Sequence, residues 1–208
     1  MPRRIFLDVG AHRGETAKAA LLFDFDAVHS FEPAGEQRVV VEEVAQGDRR
    51  LTVHPFGLAG RDGTARLYFG KYTTGASLYA DKRNVDPDRY EDISLRRASD
   101  WIRQNLQPDD MILMKINVEG AEVDILEDLE AAGLLPWFRQ LLYYPDSRKV
   151  PSLRDRGRAV TSRITAAHPN VRSAHDVFNV ASDLDITTRT ANWLKTREEV
   201  VCLLASNG

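Results

Sequence analysis

The chain has 208 residues, 43% hydrophobic and 28% charged, with 28 basic and 31 acidic side chains. That length suits one domain with a sizeable core, and the composition excludes wholesale disorder and the strong basic excess of a general nucleic-acid binder. The single cysteine, Cys202, excludes an internal disulfide and a cysteine-built zinc site; inside its apolar run it reads as a small buried hydrophobe in a reducing cytoplasm.

Strand and helix signals alternate from the start. The basic residues Arg3 and Arg4 precede an apolar run, but Asp8 cuts that run too short for a secretory signal, and no stretch approaches the ~18 apolar residues of a membrane span. Ile5 to Val9, stopped by Gly10, predicts a buried first strand, and Glu15 to Phe23 a helix with Ala17, Ala20 and Leu21 at helical spacing. Ala27 to Phe31 predicts a second strand, Gly35 to Gln46 a second helix closed by Gly47, and Leu51 to Phe56 a third strand. Asp62-Gly63 is a turn signal that makes Thr64 to Phe69 an antiparallel excursion. Lys71 to Ile93 has no firm period and reads as a long functional loop. Ser99 suits the N-cap of a helix to Leu106. Met111 to Ile116, almost wholly apolar, is expected as a central parallel strand, followed by a helix from Ala121 to Ala132. Phe138 to Tyr144 predicts a fifth strand. A helix reaching Ala167, a short helix from Thr190 to Lys195 and a last strand from Val200 to Ala205 complete the chain. The expected fold is α/β: a mostly parallel sheet with an antiparallel last strand and helices on both faces, with ligands at the carboxyl ends of the strands.

The residues at those strand ends carry the chemistry. In Asp8-Val-Gly-Ala-His-Arg-Gly14, Gly10 and Gly14 let the backbone turn sharply and approach a ligand, the helix start beyond suits a carboxylate, and Asp8 can accept from an ammonium or hydroxyl. The turn lacks the G-x-G-x-x-G spacing of a dinucleotide fingerprint and has His12 in its middle; it suits a nucleoside bearing an amino acid. Phe31-Glu32-Pro33 places a carboxylate where a ribose diol arrives. Gly57 follows the third strand and joins this cofactor set. Lys115-Ile-Asn-Val-Glu-Gly-Ala-Glu122 closes the central strand; alternation sends Lys115, Asn117 and Glu119 to one side, and Glu119 and Glu122 are expected to face together across the first helical turn. A lysine inside an apolar strand demands a partner. His54, at a strand end, is weighed against an ordinary satisfied histidine and yields to it; Trp101 and Trp193 read as core. Asp62, Asp81, Asp86, Asp88 and Asp92 lack calcium-loop spacing, and no metal ligand set is read.

Taken in order, Asp8-Val-Gly-Ala-His-Arg-Gly14, Phe31-Glu-Pro33, Gly75-Ala-Ser77-Leu and Lys115-Ile-Asn-Val-Glu-Gly-Ala-Glu122 resemble the FkbM family of methyltransferases over roughly residues 5 to 135. The resemblance implies S-adenosylmethionine, a Rossmann-like sheet ending in an antiparallel strand, and usually O-methylation of a sugar, glycan or natural product. It also brings Ser77 into the cofactor set. His12 stands where the family has Asn, and Asn117 where it has Asp, so a carboxylate that would serve as base or metal ligand is gone. Tyr143-Tyr144-Pro145-Asp146-Ser147-Arg148-Lys149 departs from the acidic residue and histidine that relatives often show after the fifth strand. The expected catalytic set is Lys115, Asn117, Glu119 and Glu122, with Glu119, neutral Lys115 or His12 as base.

The reading is therefore a methyltransferase with a small-molecule or glycan acceptor. A cofactor-binding protein with weak catalysis, acting in an assembly, is the alternative. Nucleic-acid methylation, prompted by Arg148, Lys149, Arg154, Arg156 and Arg158, ranks third. Acceptor recognition is assigned to Lys71 to Ile93, to Tyr143 to His168, or to another subunit, which leaves a homo-oligomer open.

Overall fold

The computed structural model describes residues 1–71, 75–178, 184–197 and 200–202. In chain order its elements are β1 (Arg4–Val9), α1 (Glu15–Ala20), β2 (Ala27–Phe31), α2 (Gly35–Gln46), β3 (Leu51–His54), β4 (Gly57–Ala59), β5 (Gly63–Gly70), β6 (Val85–Arg97), α3 (Ala98–Asn105), β7 (Met111–Ile116), α4 (Glu122–Ala131), β8 (Phe138–Tyr143), α5 (Arg154–Ala167), β9 (Val171–Ser173), α6 (Ala174–Val177) and α7 (Ile186–Lys195). Six strands form an all-parallel sheet in the order β3-β2-β1-β7-β8-β9, and β4-β6-β5 form a small mixed sheet. This is an α/β arrangement consistent with a Rossmann-like methyltransferase.

The continuous apolar runs of β1 and β7 follow from their central position, covered on both faces. Ile5, Leu7 and Val9 share a face with Ile112, Met114 and Ile116, and pack against Ile102 of α3, Ile125 and Leu126 of α4, and Val160 and Ile164 of α5. Phe6 and Leu113 point the other way, onto Ala17 and Ala20 of α1 and Trp193 and Leu194 of α7. Each such fully buried side chain contributes ~1.5–3 kcal/mol over an exposed one, so the two layers hold the strand ends firmly in place. Trp101 and Trp193 are both core; the indole of Trp193 donates to Gln140 Oε1 at 2.6 Å.

Several sequence expectations change. The supposed loop before Ile93 contains most of β6, which pairs antiparallel with β5 and parallel with β4. One face of β6 is solvated, so its outer positions are charged or polar (Asp88, Tyr90, Asp92) and its apolar inner face shows only sparsely in the sequence. Ser99 is not an N-cap: α3 begins at Ala98, and its first turn is capped from across the core by Asp128, which accepts from the Ser99 backbone N–H at 2.8 Å. The six-stranded sheet contains no antiparallel strand among the described residues; its edge is the short parallel strand β9. Val200 to Cys202 are not a strand, and residues 203–205 of the expected one lie outside the described residues. Cys202 is exposed rather than buried, because its backbone is fastened to Asp24 (N–H to Oδ1, 2.7 Å), leaving the thiol outside. Among the described residues, no helix is long and apolar enough to cross a membrane.

Candidate active site

The chain winds outward from β1 through β2 to β3, then crosses to β7 and winds outward the other way. The gap above β1 and β7 is thus a topological switch point, where open α/β sheets bind ligands. A cleft of about 340 Å³ lies there, roofed by Leu67, Ile93 and Leu95 of the small sheet.

The floor is the turn after β1. The backbone N–H groups of Gly10 and Ala11 both donate to Phe31 O at 3.1 Å, and Asn117 N–H donates to Val9 O at 2.9 Å. Gly10 has φ 80°, and a Cβ on it would meet the Asn117 carbonyl oxygen at 2.1 Å. Only glycine lets the two strand ends approach this closely. Gly14, also left-handed at φ 76°, closes the turn away from the cleft wall, against Val44. His12 holds φ 53°, an uncommon conformation for a residue with a side chain.

Glu32 and Pro33 form the wall after β2. The Glu32 carboxylate accepts from His12 N–H at 2.7 Å and Ala34 N–H at 2.9 Å. Burial nevertheless outweighs these donors and pushes its pKa up to about 7. Gly57 lies on the wall beyond β3.

Asp8 and Lys115 are register partners on β1 and β7, so their side chains meet on one face. Lys115 Nζ donates to Asp8 Oδ1 and to Gly10 O, both at 2.9 Å. Asp8 is fully buried behind the wall; burial raises its pKa, against the pull of Lys115.

Lys115, Asn117 and Glu119 all line the cleft with Gly10, although strand alternation ends at Ile116. Asn117 is in the following loop, its Oδ1 buried without a partner among the described residues. Glu119 is in a left-handed turn with φ 53°, paired with buried Lys82 at 2.7 Å and near Lys149 at 3.9 Å.

Glu122 does not join Glu119. Helix α4 starts only at Glu122, so Glu119 lies on the preceding turn rather than one helical turn below it. Glu122 is fully buried, accepts from Gly120 N–H at 2.8 Å and Ser147 N–H at 2.6 Å, and ties the loop after β8 to the turn after β7. Burial pushes its pKa up to about 7. Ser77 is buried behind the wall too; its hydroxyl donates to Glu119 O at 2.7 Å, so it reaches the cleft through Glu119.

His54 stays outside the cleft, stacked on Phe31 at 4.6 Å with a ring nitrogen 3.1 Å from His29. Burial pushes both histidines down to about 4. Sequence reasoning missed Lys82, which sits in a stretch without periodicity, and Glu15, whose Oε1 lies 3.4 Å from His12 Nδ1. The i,i+3 spacing of His12 and Glu15 was the available signal for the latter.

The methyltransferase FkbM domain matches residues 8–139, from the Asp8 turn to the start of β8. The chain belongs to the FkbM methyltransferase family. It is therefore an S-adenosylmethionine-dependent methyltransferase. No curated protein matches its sequence. The residues present fit that cofactor. The FkbM cleft has a glycine floor that a Cβ would block, a wall carboxylate after β2, and buried polar atoms on Asn117 and His12 that no described residue satisfies.

Proposed function

We propose that this FkbM methyltransferase methylates a hydroxyl of a sugar, glycan or natural product, with S-adenosylmethionine held across the ends of β1, β2 and β7. The observation that carries the cofactor part of this reading is a set of three buried polar atoms, Asn117 Oδ1, His12 Nε2 and Gln37 Oε1, that find no hydrogen-bond partner among the described residues and belong to residues lining the cleft that also holds Glu32. Buried polar atoms without partners are costly, and a polar ligand relieves that cost.

When bound, S-adenosylmethionine supplies a methyl group already activated by its sulfonium. The protein then mainly positions the reactants. Glu32 would accept hydrogen bonds from the ribose hydroxyls. Asp8 and Lys115 fix the floor, with Lys115 acting as a donor to Gly10 O rather than as a base. Glu119, at the acceptor side, is the base that takes the hydroxyl proton.

Of the five basic residues that prompted the nucleic-acid reading, Arg156 is paired with Asp124 and Glu127 and Lys149 with Asp146, which removes two of them from that reading's support. A second reading, a cofactor-binding protein with weak catalysis, is favoured by the missing carboxylate at Asn117 and by the engagement of Glu119 with Lys82.

Calorimetry with S-adenosylmethionine, S-adenosylhomocysteine and NAD tests the cofactor. The adenosyl ligands are expected to bind at micromolar to sub-millimolar concentrations and NAD to be silent; the reverse overturns the reading. Release of S-adenosylhomocysteine across a panel of hydroxylated acceptors tests the reaction.

A further inference from the structure

We infer that Lys82 is a positioning residue for methyl transfer: from the segment between β5 and β6 it holds one oxygen of the Glu119 carboxylate and leaves the other to the acceptor. The inference rests on the reading of Glu119 as the base and names the group that aims it.

The two oxygens of Glu119 have different surroundings. Oε2 lies 2.7 Å from Lys82 Nζ and 3.9 Å from Lys149 Nζ. Lys149 has the weaker hold, because it pairs with Asp146 at 2.7 Å. Oε1 has no hydrogen-bond partner among the described residues. It faces Gly75, which lines the cleft with Glu119. A Cβ on Gly75 would lie 3.4 Å from Oε1 and 3.2 Å from Lys82 Nζ, so a residue without a side chain leaves the pair uncovered on that side. Burying an ammonium is tolerated only against a carboxylate. The Lys82 side chain is 6% exposed and that of Glu119 24%, so the pair is anchored from its buried end and open at the carboxylate.

Lys82 is itself held on both sides. Asp81 accepts from the Ser152 N–H at 2.8 Å and from the Ser152 hydroxyl at 3.1 Å, and the Arg83 N–H donates to Lys149 O at 3.0 Å; both fasten the segment to the stretch after β8. The Tyr79 hydroxyl donates to Asp124 of α4, and the Ser77 hydroxyl to Glu119 O at 2.7 Å. One segment therefore grips Glu119 by its main chain through Ser77 and by its side chain through Lys82. Glu119 depends on these grips, because it lies between β7 and α4 in a left-handed turn, with no helix or strand to set its direction. In the transfer the acceptor oxygen gains the methyl group, sulfur keeps the electron pair of the bond that breaks, and the hydroxyl proton goes to Glu119 Oε1. Lys82 keeps its own protons and acts through Glu119 alone. Misplacing a reacting group by about 1 Å costs on the order of 10²-fold in rate.

The test is a double-variant cycle on kcat, run with the hydroxylated acceptor that releases most S-adenosylhomocysteine in a panel. Lys82→Met is expected to lower kcat by roughly 10–100-fold. The acceptor KM and the calorimetric Kd for S-adenosylhomocysteine should stay within about twofold, since neither depends on where the base points. In a Glu119→Gln background the same change should cost less than about twofold, because its only route to the reaction is gone. Should Lys82→Met not fold, Lys82→Gln, smaller but still polar, takes its place. An unchanged kcat, or an equal loss with and without the Glu119 carboxylate, overturns the inference. Glu119→Gln with full turnover sinks the base reading and Lys82 with it. If no acceptor in the panel is turned over, it is the hydroxyl-acceptor reading that has failed, and crystal structures with S-adenosylhomocysteine decide the positioning alone. The Glu119 carboxylate should then leave its place beside Gly75 in Lys82→Met, and an unmoved carboxylate overturns the inference.

Discussion

Glu32→Gln separates a carboxylate that binds ribose from one that merely ends a strand. The two oxygens of Glu32 already accept from His12 and Ala34 N–H, each leaving a lone pair for one ribose hydroxyl. Hydrogen bonds to charged groups contribute ~1.5–3 kcal/mol each. Gln keeps one acceptor, so a net loss of about 2 kcal/mol is expected, roughly thirtyfold in Kd for S-adenosylhomocysteine at pH 8. The burial that raises the Glu32 pKa to about 7 adds a signature. The ligand favours the ionised form, and below that pH the free enzyme must release a proton to bind it. The advantage of wild type over Glu32→Gln should therefore shrink about tenfold per pH unit, to roughly threefold at pH 6. Taking the ratio of the two proteins removes titrations they share. Calorimetry at pH 8, 7 and 6, with denaturation curves confirming that both proteins are folded, measures it. A ratio that stays constant over this range, or a variant with unaltered affinity at pH 8, refutes the ribose assignment.

Three further outcomes are expected. Gly10→Ala places a Cβ 2.1 Å from a backbone oxygen in a left-handed conformation, so it should lower stability by more than ~1 kcal/mol and abolish binding of S-adenosylhomocysteine; a stable variant with intact binding contradicts the floor geometry. Asn117→Asp restores the family's carboxylate: a strong rise in methyl transfer would mark the natural protein as a weakened enzyme, whereas loss of transfer with the cofactor still bound is the outcome expected if Asn117 is adapted to its own acceptor. For pH, His29 and His54, lowered to about 4, contribute stability above 6.5 that is lost as pH falls towards 4, whereas Glu32 and Glu122, raised to about 7, contribute stability below 4.5 that is lost as pH rises through 7. The two pairs oppose each other between about 4.5 and 6.5, so stability should be nearly flat there and should rise on acidification once both histidines are replaced by Asn; urea titrations at several pH values would show it.

How far the sequence was legible follows from what kind of signal each part leaves. The central strands were readable because burial on both faces forces unbroken apolar runs, and the first two turns because glycine and Glu32 are demanded by backbone geometry and strand position. β6 was not, since one solvated face and a Pro–Asp-rich start dilute the alternation that defines a strand. β9 is too short, at three residues, for any period to appear. Glu122 illustrates a deeper limit. Its spacing from Glu119 fits a shared helix face, but that holds only if the helix has already begun at Glu119. The left-handed turn at Glu119 and Gly120 delays it, sending one carboxylate to the cleft and the other into the protein. Lys82 and Glu15 show the same limit in another form. Lys82 comes from a stretch without pattern to hold Glu119, and Glu15 acquires meaning only once the turn brings its carboxylate beside His12. Residues that hold a backbone turn can be read from local chemistry. Residues that prepare a side chain for a ligand are recognised by what their partner lacks, and that is a property of the folded cleft.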